Sequence, residues 1–144
     1  MTVGSVDAVE RTVHKTNEWL GDMAGELGTD DKEDAWRALS GYLQVLRDRL
    51  TLDEGAQLAA QLPHLLRGVF YEGFDPGHQP EKIRDRDVFL SLLAERAVLA
   101  DAEEAAVTAT AGTRVLRRHV TEGELEDVFV QLPREIRALL EDVR

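Results

Sequence analysis

The stretch Val45–Phe70 recurs without a gap as Val115–Leu140. VLRDRLTLDEGAQLAAQLPHLLRGVF stands over VLRRHVTEGELEDVFVQLPREIRALL, and the shift from Val45 to Val115 is 70 residues. Matched positions include Leu46/Leu116, Arg47/Arg117, Thr51/Thr121, Glu54/Glu124, Gln61/Gln131, Leu62/Leu132, Pro63/Pro133 and Arg67/Arg137. A chain that repeats itself at this period is built from copies of one supersecondary unit, so a fold proposed for one copy must serve the other. The shift divides the chain into repeat one at about 5–70, a connector at 71–82 and repeat two at about 83–140, within one domain over 1–144.

The unit reads as helical. Val6, Val9, Val13, Leu20, Met23 and Leu27 follow spacings of three, four and seven, which is one apolar stripe on a helix. Gly28 stops that helix, and Thr29-Asp30-Asp31 caps the next. The second helix carries Ala35, Leu39, Tyr42, Leu43, Leu46 and Leu50 on one face. Thr51 with Glu54 three residues on is a capping box: the Thr hydroxyl takes the Glu amide, and the Glu carboxylate reaches back to the Thr amide. The third helix holds Ala56, Ala59 and Leu62 and must break at Pro63, which opens a short fourth helix over His64–Phe70. In the second copy Phe89, Leu90, Leu93 and Ala97 stand for Trp19, Leu20, Met23 and Leu27, Thr121 and Glu124 repeat the capping box, and Pro133 repeats the break. No segment alternates with period two long enough for a strand. The expected fold is all-α: a compact helical bundle of two tandem repeats of about 70 residues. Each repeat has three longer helices, the third broken at a Leu-Pro, plus a short fourth. Three and a half helices are few for an independent core, so one shared core is expected.

Composition narrows the function. The 144 residues include no cysteine, which removes disulfides, thiolate metal sites and cysteine nucleophiles. No apolar run approaches the length of a membrane span, and MTVGSVDAVER lacks the basic and apolar regions of a secretory signal, so the expected location is the cytoplasm. The net charge of −11 argues against nucleic acid and against anionic membranes as partners.

Four segments together carry a family resemblance. They are Glu54–Arg67 (ExxxLxxQLPxxLR), Tyr71–Pro76 (Tyr-Glu-Gly-aromatic-Asp-Pro), Arg84–Leu90 (Arg-x-Arg-Asp-x-Phe-Leu) and Gln131–Arg137 (Gln-Leu-Pro-x-Glu-x-Arg). The chain resembles, from about residue 5 to residue 140, the bacterial domain-of-unknown-function family numbered 2267. The resemblance implies an all-helical cytoplasmic protein of bacteria or archaea and no assignable activity. Phe74 departs from it, standing where the family is associated with tryptophan.

No catalytic constellation is legible. The sequence has no P-loop, dinucleotide fingerprint, Gly-x-Ser-x-Gly or His-x-x-x-His, and Ser40 and Ser91 lie in helical stretches without a visible base. None of His14, His64, His78 and His119 lies three residues after a Glu, as a diiron bundle requires. The acidic runs at Asp30–Asp34 and Asp101–Glu104 open helices, where carboxylates meet the helix dipole. The expectation is therefore no catalytic residue, no cofactor and no metal, in a non-enzymatic binding or interaction module.

Gln61 and Gln131 are expected to satisfy backbone groups freed at the proline breaks. Arg47, Arg117, Arg67 and Arg137 are expected to pair with Glu54, Glu124 or other acids. Arg114, Arg117, Arg118 and His119 form a basic patch expected to be neutralised locally. The connector is the segment that the repeat does not duplicate, and Tyr71, Glu72, Phe74, Asp75 and His78 combine aromatic area with polar handles. These five are the candidate partner-binding residues, with a protein as partner. The competing reading makes Tyr71 and Phe74 a plug between the copies, while Trp19 and Trp36 are expected to be core or seam residues. Two other functions stay open: a small-ligand or enzyme pocket at the seam formed by Gln61, Gln131, Arg47 and Arg117, and a helix-turn-helix regulator, which the acidity disfavours. Monomer and homodimer both remain compatible with the apolar stripe of the first helix.

Overall fold

The computed structural model describes residues 4–77 and 83–144. These form eight α-helices and no strand: α1 (Asp7–Leu27), α2 (Lys32–Arg47), α3 (Leu52–Ala59), α4 (His64–Tyr71), α5 (Arg86–Ala97), α6 (Ala102–His119), α7 (Glu122–Gln131) and α8 (Arg134–Glu141). Helices α2, α3 and α4 begin at Lys32, Leu52 and His64; α6, α7 and α8 each begin 70 residues later, at Ala102, Glu122 and Arg134. No helix among the described residues is long and apolar enough to cross a membrane.

The helix starts follow from local chemistry. The side chains of Asp31, Thr51, Asp85, Asp101 and Thr121 each accept an amide hydrogen from the first turn of the helix they precede. The ends are less uniform. Gly28 closes α1 in the left-handed conformation at φ 71°, where glycine carries no Cβ penalty. Val98, 70 residues on, closes α5 in the same conformation at φ 55° although it is β-branched. Helix α3 ends at Ala59, short of Leu62. Pro63 disfavours helical geometry at Leu62, so the last turn tightens into bonds from Gln61 N to Leu58 O and from Leu62 N to Ala59 O, both 3.0 Å. Helices α3 and α4 are thus equally short, at eight residues each.

One continuous core joins both halves, with α2 packed against α5, α1, α4 and α6. Leu39, Leu43, Phe89, Leu93 and Leu116 are fully buried, and each contributes about 1.5–3 kcal/mol. Close approach is bought with glycine at two crossings: a Cβ on Gly112 would lie 2.5 Å from the Tyr42 ring, and one on Gly41 would lie 2.7 Å from the Ala97 Cβ. Tyr42 is itself wholly buried, and its hydroxyl lies 2.7 Å from Thr113 Oγ1. Thr113 donates its hydrogen to Ala109 O at 2.8 Å, so Tyr42 is the donor to Thr113.

Helix α1 buries only part of its stripe. Trp19, Leu20, Met23 and Ala24 are in the core, but Val6, Val9 and Val13 remain 57%, 57% and 43% exposed. At 21 residues against 12 for α5, α1 extends beyond the neighbours that bury its second half. Trp36 is also part-exposed, contrary to its expected place in the core or seam, because it projects from α2 away from the stripe of Ala35, Leu39, Tyr42 and Leu43.

Candidate functional site

Helices α3 and α7 face each other, and each is capped by a side chain from the other half. Gln61 Oε1 accepts from Thr121 N at 2.8 Å while Gln61 Nε2 donates to Thr121 Oγ1 at 3.1 Å. Gln131 Oε1 accepts from Thr51 N at 3.0 Å and from Thr51 Oγ1 at 3.3 Å. The glutamines therefore do not serve the proline break beside them. In the first half that role falls to Arg67, whose guanidinium donates to Ala59 O, Ala60 O and Leu62 O at 2.9, 3.2 and 3.3 Å.

This exchange displaces the capping-box glutamates. The Thr51 and Thr121 hydroxyls accept the Glu54 and Glu124 amides as expected, but the return bonds to the threonine amides are taken by the glutamines. Glu54 and Glu124 turn into the seam. Each is only 7% exposed, and Oε1 of each has no hydrogen-bond partner. Oxygens of Glu54, Glu124 and the exposed Asp127 lie within 4.8 Å of one another. The expected arginine partners are absent from both glutamates among the described residues. Arg47 instead donates to Asp48 and to backbone carbonyls, Arg117 to backbone carbonyls, and Arg137 pairs with Glu126 and Glu141. Burial first, then the adjacent Glu54 and then Asp127, push the Glu124 carboxyl up from 4.5 to about 8. The pair therefore holds a proton near neutral pH. One proton shared between them satisfies two facing carboxylates.

At the other end of α4, Arg47 anchors the start of the connector. Its buried guanidinium donates to Phe70 O and Glu72 O, both at 2.8 Å, and lies 5.5 Å from the centre of the Phe74 ring. The Tyr71 ring stands edge-on to Phe70 at 5.1 Å and to Phe74 at 5.6 Å. Gly73, at φ 72°, supplies the left-handed residue that folds Phe74 back over Arg47. Tyr71 and Phe74 are half-buried, while Glu72 and Asp75 are exposed. Asp75 Oδ1 accepts from Gly77 N at 2.9 Å. His78 lies outside the described residues. Arg117 repeats the anchor at the chain's end: it donates to Glu141 O at 2.7 Å and to Val143 O at 2.5 Å, and it lies 5.3 Å from the Phe129 ring.

The basic patch is neutralised by α1 rather than by its neighbours on α7. Arg114 and Arg118 bond Glu26, and His119 lies 2.7 Å from Asp22. The His119 ring also stacks on Trp19 at 4.6 Å.

The fold is all-helical, and the motif-bearing segments lie on α3–α4, the connector, α5 and α7–α8. The family model described as "Uncharacterized conserved protein (DUF2267)" matches residues 16–139. The chain belongs to the DUF2267 family. That match spans all eight helices in whole or in part, including both Gln-Leu-Pro segments and the connector of this DUF2267 protein. No curated protein matches it. The reciprocal glutamine caps and the carboxyl pair had one sequence signal: Thr51/Gln61 and Thr121/Gln131 share a separation of ten residues. Asp127 had none, since Gln57 occupies its place in the first copy.

Proposed function

We propose that this DUF2267 protein is a non-enzymatic interaction module of the bacterial cytoplasm, and that Tyr71, Glu72, Phe74 and Asp75, with His78, receive a partner protein. The observation that carries this reading is Arg47 beneath Phe74. A buried guanidinium that fixes the carbonyls of Phe70 and Glu72, on either side of Tyr71, and supports one aromatic ring presents that ring on a rigid base. A plug between the halves would be engulfed, whereas Phe74 and Tyr71 keep a solvent face. Leu52, 60% exposed, and the two rings border the same depression, which enlarges the apolar area. Glu72 and Asp75, exposed next to the two rings in the chain, add negative charge to the segment. The fitting partner offers an apolar or aromatic anchor inside a basic rim, the arrangement of a hot spot with its surround.

The experiment is affinity capture from the native host with three variants. Phe74→Ala and Leu52→Ser should each lose the captured protein, and Phe74→Trp should retain it. Val130→Ala, at an exposed apolar residue on α7, should change nothing. Equal capture by wild type, Phe74→Ala and Leu52→Ser would overturn the assignment.

A further inference from the structure

A cleft of about 440 Å³ opens between the first half of α1, the start of α4 and the end of α6. Arg11, Lys15, His64 and His119 line it, and no aspartate or glutamate does. In a chain with 28 acidic residues against 17 lysines and arginines, that segregation is informative. The clefts that include Arg96, Arg37 and Arg134 each carry two or more carboxylates in their walls.

Two of these groups, Arg11 and His64, are uncommitted. Among the described residues neither Arg11 nor His64 forms an ion pair, and Lys15 meets only Glu18, at 3.8 Å and in solvent. Helix α4 starts at this wall. Its N-cap is Pro63, which supplies no capping side chain, and Thr12 on the α1 wall takes one first-turn amide instead, Thr12 Oγ1 accepting from Leu65 N at 3.3 Å. His119 is held from two sides: Asp22 Oδ2 lies 2.7 Å from its Nε2, and its ring stacks on buried Trp19 at 4.6 Å and 17° between planes. One wall is therefore a fixed imidazole on an indole, and the other carries reachable charges.

We propose that this cleft is a binding site for a soluble phosphate group, free or carried on a small molecule. Two long cationic side chains and the exposed His64 imidazole, with the Asp22-held His119 ring behind them, match a compact dianion with several acceptor oxygens. The net charge of −11 repels an anionic bilayer, which makes the phosphate a soluble one. The proposal is independent of the connector surface, with which the cleft shares no residue.

The test titrates the full chain with inorganic phosphate at constant ionic strength, following the imidazole proton resonances of His64 and His119. Both should shift and saturate. The double variant Arg11→Gln/His64→Gln should weaken the apparent affinity roughly tenfold or more. Arg134→Gln, in a mixed-charge cleft, should leave it unchanged. Arg11 and His64 are exposed, so the double variant should melt with the wild type. Shifts that do not saturate, that chloride reproduces, or that persist undiminished in the double variant would overturn the site.

Discussion

Glu54 and Glu124 occupy matched positions in the two halves and turn their carboxyls toward each other across the α3–α7 seam, because Gln131 and Gln61 have taken the threonine amides that a capping box would give them. The arrangement makes stability depend on pH in the unusual direction for a carboxyl. Glu124 titrates at about 8 in the fold and near 4.5 when unfolded. Between those values the folded state binds more protons than the unfolded state, so the free energy of unfolding falls as pH rises through the window. The contribution is fully present below 4.5 and lost above 8. Glu124→Gln keeps a neutral side chain of the same shape and removes this fall. Above pH 8 it should be the more stable protein, by roughly 1–3 kcal/mol. Urea melts of both proteins across the window check this; parallel pH profiles would refute the shared proton.

The glutamine caps link the halves directly. Gln61→Ala exposes the Thr121 amide to no partner, and Gln131→Ala does the same at Thr51. Each should cost about 0.5–2 kcal/mol, the range of a lost N-cap. The caps lie at opposite ends of one seam and serve different helices, so denaturant melts of the double variant report whether their costs add.

Val98 occupies the left-handed position that Gly28 fills in the first half, at φ 55° and 73% exposed. Its side chain contributes little packing there while the backbone bears the strain of a β-branched residue. Val98→Gly should stabilise the protein by about 1 kcal/mol despite the added unfolded-state entropy. A thermal melt shifted upward is the expected result.

Gly112 should tolerate no side chain, because its Cβ would meet the Tyr42 ring at 2.5 Å. Gly112→Ala should cost about 1–3 kcal/mol through overpacking, even though alanine is the better helix former. Tyr42→Phe should cost about 1 kcal/mol, since Thr113 keeps its bond to Ala109 O.

Much of this fold was legible in local chemistry. Thr51, Thr121, Asp31 and Asp101 announced helix starts, and Pro63 and Pro133 announced breaks, because a cap or a missing amide acts on its own neighbours. The end of α5 was hidden, since Val98 carries none of the signal of Gly28. The partners of Gln61, Glu54 and Arg118 were hidden for another reason: they sit 60, 70 and 92 residues away, and only packing decides them. The capping box at Thr51 shows the limit, as half of it formed and half yielded to a better-placed glutamine. The connector was recognisable as distinct, while the guanidinium beneath Phe74 comes from α2 and had no local signal.

The central claim is that Phe74 is displayed for a partner rather than built into the core. Melting and partner capture measured together on Phe74→Ala test it most directly. Phe74 is half-buried, and Arg47 keeps both carbonyl bonds without it, so the unfolding free energy should drop by no more than about 1 kcal/mol while capture is lost. A drop of several kcal/mol, with capture falling only as the folded fraction falls, would make Phe74 a structural plug and contradict the account.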